Sequence, residues 1–474
     1  MILSRLPWTL SRISWAALMI CAAATIAAAE TPSDVSSMDS SSAATGRPED
    51  RFHVPDSQSR DLIATLLSES PQIRSSWARS QSRKERVPQA RSLPEMQFRY
   101  TYFASTPETR VGPQTQSFEL SQVVPWAGKR RLQAERDESL ATGATWEAAD
   151  LERRLVADFK RAYFEAAYLQ EALTINSEEQ DLLRRFESIA LKRYSTGEGI
   201  QQSVVKVQTE ISRLDDRRTE LRRRLDGMAR RIAELVGRPD EPLDLELIDL
   251  SLPEIHHQRD DLERIALSDH PRVHAVEHRV EADLLWTERR EREARPDFRF
   301  GLGYGVVDDR DDPAGVMNPP PDNGQDVLAL TVGIEIPLYR KRIRSGVAEA
   351  RESQRANEEL LAAVRNRLRY DVQEALLRLD SLDERGRLYR DVIVPQAEES
   401  LASAEAAYTT NRLGFLDLLD AQRILFQSRL AYHRLVSDLW IALADLELAV
   451  GKPVPDVPRS ADLRHRAPSP GSSS

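Results

Sequence analysis

The sequence has almost no cysteine. Cys21 is the single thiol in 474 residues, and it lies in an apolar stretch near the N-terminus. Beyond that stretch, the chain cannot depend on disulfides or on cysteine-ligated metal. No nucleophile elbow, phosphate-binding loop or dinucleotide fingerprint is present either, so we expect neither an enzyme nor a bound cofactor.

Long hydrophobic runs are also missing beyond the N-terminus. No stretch of about 18 or more apolar residues occurs there, so any membrane contact would have to come from strands or from surface helices. Charged residues make up 30% of the chain and the mean hydropathy is −0.50, which is typical of a chain that faces water. The net charge of −10 gives no support to nucleic-acid binding.

The segment 1–29 predicts a secretory signal peptide. Arg5 and Arg12 precede an apolar run that ends in three alanines before Glu30. A positive start, a short apolar segment and small residues at the cleavage point are typical of exported proteins. Lipidation of Cys21 stays open as an alternative, although the bulky residues before it do not resemble a lipid-attachment site.

The chain is internally duplicated. YSTGEGIQQSVVKVQ at 194–208 aligns with YTTNRLGFLDLLDAQ at 408–422, and GRP from Gly237 aligns with GKP from Gly451 at the same offset. Both pairs of segments align at the same offset along the chain, which indicates a repeated structural unit. Such a repeat has to be recognised before the fold is assigned.

The duplication gives the predicted domain plan. Polar segments at 30–56 and 454–474 are expected to be a disordered linker and tail. Between them we predict repeat 1 at 57–239, a connector at 240–258 and repeat 2 at 259–453. Each repeat contains a helix, a β-hairpin and a pair of long helices.

The hairpins are predicted at 94–124 and 296–337. Apolar residues of the second hairpin alternate with small or polar ones: Phe298, Phe300, Leu302, Tyr304 and Val306, then Leu328, Leu330, Val332, Ile334 and Ile336. Alternation with period two predicts strands with one apolar face. Strands of this kind are typical of a transmembrane β-barrel, and two hairpins packed on a helical core are the alternative.

Aromatic and basic residues follow each hairpin. Trp126 and Lys129 come after the first, and Tyr339 and Lys341 come after the second. Because such residues are enriched at the boundary between lipid and water, these four are predicted to lie at the membrane interface.

Four strands per chain predict an oligomer. The smallest membrane-spanning barrels have about eight strands, and an open sheet edge in lipid leaves backbone groups without partners. Two copies would give a filled interior, whereas three copies would give twelve strands and an open lumen. We therefore predict a homotrimer.

The helices after the hairpins, at 127–237 and 340–450, are predicted to be unusually long. Apolar residues recur along them at coiled-coil spacing, and Pro395 predicts a break or kink in the second set. Gly197 and Asn411 stand between the paired helices and tolerate the positive φ of a tight turn, so they are the predicted tips. The predicted fold is mainly α with a small β part.

Together these motifs resemble the TolC-like outer-membrane efflux factors. The likeness runs from about Asp61 to Pro453 and depends on the duplicated plan, on VPWAGKRR after the second strand, on YSTGEG at the first tip, and on LDLLDAQ and AVGKP in repeat 2. The resemblance implies a trimeric duct in the outer membrane that extends into the periplasm as an α-helical barrel. A periplasmic adaptor and an inner-membrane transporter are implied as partners, and the residues around Trp126 look most like the branch paired with heavy-metal resistance-nodulation-division pumps.

The resemblance also implies site residues at the periplasmic entrance. Asp417 and Asp420 match acidic rings that narrow this entrance, and two carboxylates three residues apart share one helix face, where threefold rings would favour cations. Solvated helix charges are the alternative. Tyr408 matches a tyrosine of the family's gate network. Gly197 matches a tip glycine that docks the adaptor, and Asn411 takes the corresponding place in repeat 2.

Two departures from the family pattern concern the gate. Leu413 and Ser203 stand where some members have charged or polar partners that close the entrance. We therefore expect that ionic lock to be absent and the entrance to be held in another way.

Three histidines and one rival function stay open. His270, His274 and His278 recur every four residues, as in two-histidine metal sites, and a solvated helix face is the alternative. A periplasmic coiled-coil adaptor or scaffold without a barrel is the alternative function. The sequence does not identify the cargo.

Overall fold

A computed structural model describes the chain at residues 56–241, 250–253, 259–410 and 412–454. The predicted signal peptide, Cys21, most of the connector and nearly all of the two flanking segments lie outside the described residues. Asn411 also lies outside them.

Repeat 1 contains three short helices, then strands, then two long helices. Its elements are α1 (Ser57–Glu69), α2 (Pro71–Lys84), α3 (Arg86–Arg91), β1 (Gln97–Tyr102), β2 (Glu108–Thr109), β3 (Gly112–Val124), α4 (Lys129–Ser195) and α5 (Gln201–Leu235).

Repeat 2 follows the same order. Its elements are α6 (Arg259–Asp269), α7 (Pro271–Arg292), β4 (Asp297–Val307), α8 (Pro313–Met317), β5 (Val327–Glu335), α9 (Arg340–Leu388), a π-helical turn (Tyr389–Ile393), α10 (Val394–Thr409) and α11 (Phe415–Val450). The prediction of a mainly helical chain with a small β part is confirmed.

Helix α4 is the longest element described. It has 67 residues and extends ~100 Å at 1.5 Å per residue. No proline lies within it to remove a backbone donor. Within the described ranges, none of the helices combines the length and the apolar character that crossing a lipid bilayer requires.

The second descending helix is interrupted where the sequence places Pro395. Helix α9 ends at Leu388, a π-helical turn follows, and α10 begins at Val394 with Pro395 in its first turn. Proline lacks a backbone N–H and clashes with the preceding turn, and a wider turn accommodates both effects. The expected break is confirmed, and its form is a π-helical turn.

The long strands form one antiparallel sheet in the order β1-β3-β4-β5, with the short β2 paired to β3. Pairing of β3 with β4 joins the two repeats, with Leu120 opposite Leu302. The register places Phe98, Leu120, Leu302 and Leu330 in one apolar row across the sheet.

The apolar face of this sheet is uncovered in a single chain. Leu330 is 83% exposed, and Phe98, Tyr100 and Val332 are also exposed. Strands β1 and β5 are the two edges, and neither has a partner on its outer side among the described residues. The hairpins are therefore not packed face-down on a helical core.

The helices pack side by side. Helix α4 contacts α5 on one side and α11 on the other, and α11 also contacts α9 and α10. A large apolar cluster lies around the middle of α4 and at the carboxyl ends of α5 and α11, and includes Phe159, Tyr163 and Leu439. A second apolar cluster, which includes Phe186, Val207 and Leu418, continues toward the tips.

One buried ion pair crosses the first cluster. The Lys160 ammonium on α4 donates to the Glu447 carboxylate on α11, and both side chains are buried. Burial raises the pKa of Glu447, while the charge of Lys160 and its hydrogen bond oppose that rise. The pair ties the two repeats together where the surroundings are otherwise apolar.

Removing one partner of this pair should destabilise the protein strongly. Lys160→Met leaves an unpaired buried carboxylate and should cost about 3–5 kcal/mol, whereas Lys160→Met with Glu447→Leu should recover most of that loss. Denaturant unfolding of the detergent-purified protein measures the free energy of unfolding of both variants. The control is Lys206→Met, which changes an exposed lysine. Equal destabilisation by the single and double variants would show that packing, not charge pairing, sets the cost.

Candidate functional site

The predicted site residues lie at opposite ends of the long helices. One group lies at the tips, where the helical pairs turn, and the other lies where the sheet meets the helices. The tip group is Gly197, Tyr408, Asp417 and Asp420, and the sheet group is Trp126, Lys129, Tyr339 and Lys341.

The first tip is a tight turn after α4. Gly197 has φ of +79°, a left-handed conformation that glycine adopts at low cost. The N–H groups of Glu198 and Gly199 both donate to the carbonyl of Arg193, which closes the end of the helix. A side chain at position 197 would meet open space, so the requirement for glycine is conformational. The docking role of this tip stays a prediction.

The two aspartates lie near the start of α11 and are exposed. Asp417 and Asp420 share one face of this helix with Ile424, which is also exposed, while Leu418 and Leu419 pack inward. Asp420 lies 4.0 Å from Arg423, an exposed pair that neutralises little of its charge. A carboxylate in the first turn also suits the positive end of the helix dipole. This arrangement leaves both carboxylates available to solvent and to cations.

Tyr408 lies near the end of α10 and, unlike the two aspartates, is buried. Its side chain is only 5% exposed, and its ring centroid lies 5.7 Å from that of Phe415 at the start of α11. The guanidinium carbon of Arg193 lies 4.2 Å from the Tyr408 ring centroid. Tyr408 therefore packs inside the protomer, and Leu413 packs against the same tip-proximal cluster.

Arg193 is the tip residue that sequence reasoning missed. It immediately precedes Tyr194, which aligns with Tyr408, so that Ala407 occupies its place in repeat 2. A charged residue in one repeat opposite alanine in the other, beside two aligned tyrosines, is the signal that could have identified it. The contact itself joins residues far apart in the sequence and is visible only in the folded chain.

Within the sheet group, Trp126 and Lys129 are held by Asp297 at the start of β4. One oxygen of Asp297 accepts from the Lys129 ammonium at 2.8 Å and from the backbone N–H of Trp126 at 2.7 Å. Lys129 also donates to the carbonyl of Arg295 at 3.0 Å and is 11% exposed. The ammonium therefore ties the start of α4 to β4, and Trp126 stacks on Phe298 with ring centroids 5.9 Å apart.

The corresponding residues of repeat 2 are open to solvent. Tyr339 is 77% exposed, Lys341 is exposed, and the neighbouring Ile336 and Leu338 are exposed apolar side chains. An aromatic ring and a cation beside exposed aliphatic groups suit a boundary between lipid and water. For all four residues the interface role stays a prediction.

The three histidines do not share one helix face. His270 precedes α7 and is buried, and its Nδ1 accepts from the Arg272 N–H at 3.0 Å, so it caps the helix. Its Nε2 donates to the Leu448 carbonyl at 3.1 Å. The expectation that all three histidines lie on one solvated helix face is wrong for His270, because this residue precedes Pro271 in an extended conformation and is buried.

The other two histidines pair with carboxylates on their own helix. His274 Nδ1 lies 3.1 Å from Glu277, and His278 Nδ1 lies 3.0 Å from Glu281. Across the described ranges, no group of three or more His, Cys, Asp or Glu side chains is placed to hold a metal ion. The metal-site alternative therefore has no support from the geometry.

Comparisons with known proteins agree with this architecture. Residues 264–452 match the family described as outer membrane efflux protein. The cobalt-zinc-cadmium resistance protein CzcC of Cupriavidus metallidurans is 21% identical over 378 residues, which are 77% of this chain and 83% of that protein.

Solved structures show the same fold. CusC superimposes with a TM-score of 0.71 at 17% identity, over 87% of this chain and 96% of CusC. The outer membrane protein VceC of Vibrio cholerae superimposes with a TM-score of 0.70 at 18% identity, over 85% of this chain and 100% of VceC. At this level of identity the likeness concerns the fold.

His270 should make the stability depend on pH. Burial lowers the pKa of His270, although nearby Asp150 opposes the shift. As the pH falls through about 6.5, the unfolded chain takes up a proton that the folded chain resists, so stability decreases. His270→Asn retains a capping oxygen without a titrating ring. The melting temperature should therefore fall less steeply for the variant than for the unmodified protein between about pH 7.5 and pH 5.5. Identical slopes of melting temperature against pH would contradict this assignment.

Proposed function

We propose that the chain is a TolC-like outer-membrane efflux protein and forms the passive exit duct of a tripartite efflux pump, conducting solutes from the periplasm across the outer membrane. The observation that carries this proposal is the four-stranded sheet with an exposed apolar face and two open edges. Its helices extend away from it by ~100 Å, as a periplasmic tunnel requires.

Lipid is the solvent that suits the exposed face. Large side chains such as Phe98, Leu330 and Val332 would be unfavourable in water as one contiguous patch. In hydrocarbon they are well solvated, but every backbone group then needs a partner. The edges β1 and β5 must therefore pair with other copies of the chain.

Three copies satisfy both requirements. Twelve long strands close a barrel wide enough for a lumen, and the inward positions opposite the apolar face carry small residues such as Gly301, Gly303 and Ala329. Because α5 lies at one end of the helical row and α9–α10 lie at the other, the same assembly closes the helices into a tube.

The tips form the periplasmic entrance in this assembly. Asp417 and Asp420 on α11 would recur three times around the axis as stacked acidic rings, and such rings favour cations. CzcC is named for cobalt, zinc and cadmium resistance, and together with these carboxylates its name supports divalent cations as cargo. Selection among them rests mainly with the transporter.

The partners follow from the duct's passive nature. An inner-membrane transporter, of the resistance-nodulation-division type, supplies the energy, and a periplasmic adaptor bridges it to the tips at Gly197 and Asn411. Trp126, Lys129, Tyr339 and Lys341 lie near the periplasmic boundary of the bilayer.

Removing the acidic pair should reduce cation preference. In planar bilayers, Asp417→Ala with Asp420→Ala should shift the reversal potential under a salt gradient toward that of an unselective pore, because the rings lose their charge. The control is Asp261→Ala, which removes an exposed aspartate on α6 that pairs with Arg264. Unchanged selectivity would remove the two aspartates from the entrance, while absence of any conductance from the unmodified protein would contradict the duct itself.

A further inference from the structure

We infer that Arg193 is a positioning residue of the entrance: it ties the tip of the first helical pair, α4–α5, to the tip of the second, α10–α11, and so favours the closed state. This inference rests on the proposed duct. It supplies a closing contact in a chain whose Leu413 and Ser203 cannot form an ion pair.

The first part of the contact is made to the backbone of α10. Arg193 lies in the last turn of α4, and its Nη2 donates to the carbonyl of Tyr408 at 2.6 Å and lies 3.4 Å from the carbonyl of Thr409. These carbonyls lie at the carboxyl end of α10, where the last carbonyls of a helix lack the N–H donors that a further turn would supply. The preceding two are satisfied locally, since Thr410 N–H donates to Ala406 and Arg412 N–H donates to Ala407.

The charge of Arg193 strengthens this contact. The carboxyl end of a helix has a partial negative charge, and a guanidinium there is favourable. Hydrogen bonds from a charged donor are also stronger than those between neutral groups. Arg193 therefore caps the carboxyl end of a helix that belongs to the other repeat.

The second part of the contact is made to the Tyr408 ring. The guanidinium carbon lies 4.2 Å from the ring centroid, within the range of a cation–π interaction. The ring in turn packs on Phe415, with centroids 5.7 Å apart, and both aromatic side chains are buried. Arg193 on α4 thus contacts α10 directly and, through the Tyr408 ring, is linked to α11.

The contact lies at the tip end of the helices, so it restrains the relative position of the two tips directly. Moving from Arg193 away from the tip, the first described hydrogen bond between α4 and the second helical pair is donated by Gln422 on α11 to Glu179 on α4, at 2.6 Å. Glu179 lies about 20 Å back along α4 from Arg193 at 1.5 Å per residue. Over that distance the two pairs are joined mainly by apolar side chains such as Phe186 and Leu419, which slide more easily than directional hydrogen bonds.

Widening the entrance requires the tips of the two pairs to move apart or rotate in each protomer. Either motion lengthens the bonds from Arg193 to the α10 carbonyls and lifts the guanidinium off the ring. Loss of Arg193 therefore shifts the equilibrium toward the open state, as any interaction made in only one of two states does. Because the contact uses the ring face and the backbone, the Tyr408 hydroxyl is secondary to it.

Single-channel recording in planar bilayers tests this inference. Arg193→Ala should raise the open probability about tenfold, the factor expected for one lost charge-assisted hydrogen bond. Arg193→Lys keeps the charge without the planar stacking, so its open probability should lie between those of the unmodified protein and Arg193→Ala. Both Tyr408→Leu and Tyr408→Phe keep the backbone carbonyl, but only Tyr408→Phe keeps the ring, so Tyr408→Leu should open the channel more.

The matched control is Arg184→Ala, because Arg184 is an exposed arginine on the same helix that pairs only with Asp181, at 3.2 Å, among the ion pairs described. Ion selectivity and the unfolding midpoint should stay at the unmodified values in Arg193→Ala, which separates gating from a general loss of structure. A conducting protein whose open probability is equal in Arg193→Ala and Arg184→Ala would overturn the inference and leave the duct intact. So would Tyr408→Phe opening as far as Arg193→Ala, since a hydroxyl network would then hold the entrance.

Discussion

Backbone hydrogen bonding at the two open edges of the sheet constrains everything else about this protein. In the part of the chain that the structure describes, the outer edges of strands β1 and β5 have no strand partner, and they lie beside an apolar face that includes Phe98 and Leu330. Water could satisfy the edges but not the face, and lipid could accommodate the face but not the edges. Association of several copies in a membrane, as proposed, would resolve both conflicts and would bring the long helices together into a shared tube.

The two repeats are alike in plan but differ where they meet. Pairing of β3 with β4 joins them in the sheet, Lys160 and Glu447 join them in the helical core, and Arg193 joins them near the tips. Each of these contacts is made between residues that are not equivalent in the duplication. A duplicated chain can therefore hold one arrangement of its halves by contacts between residues that are not equivalent in the two repeats.

Local patterns in the sequence were sufficient for the elements and insufficient for the contacts between them. The absence of proline allowed α4 to be predicted, alternation identified β4 and β5, and Pro395 marked the interruption before α10. The buried state of His270 was missed because helical spacing was assumed across Pro271. Arg193 was missed because its partners are 215 and 216 positions away in the sequence, beyond the reach of any local pattern.

The number of chains in the membrane-extracted particle tests the central claim most directly. Light scattering of the detergent-purified, leader-free protein, corrected for bound detergent, measures that number without reference to transport. The account predicts three chains per particle and loss of solubility when detergent is withdrawn. A stable single chain in detergent-free buffer would mean that water suffices for the apolar face, and the duct would have no physical basis.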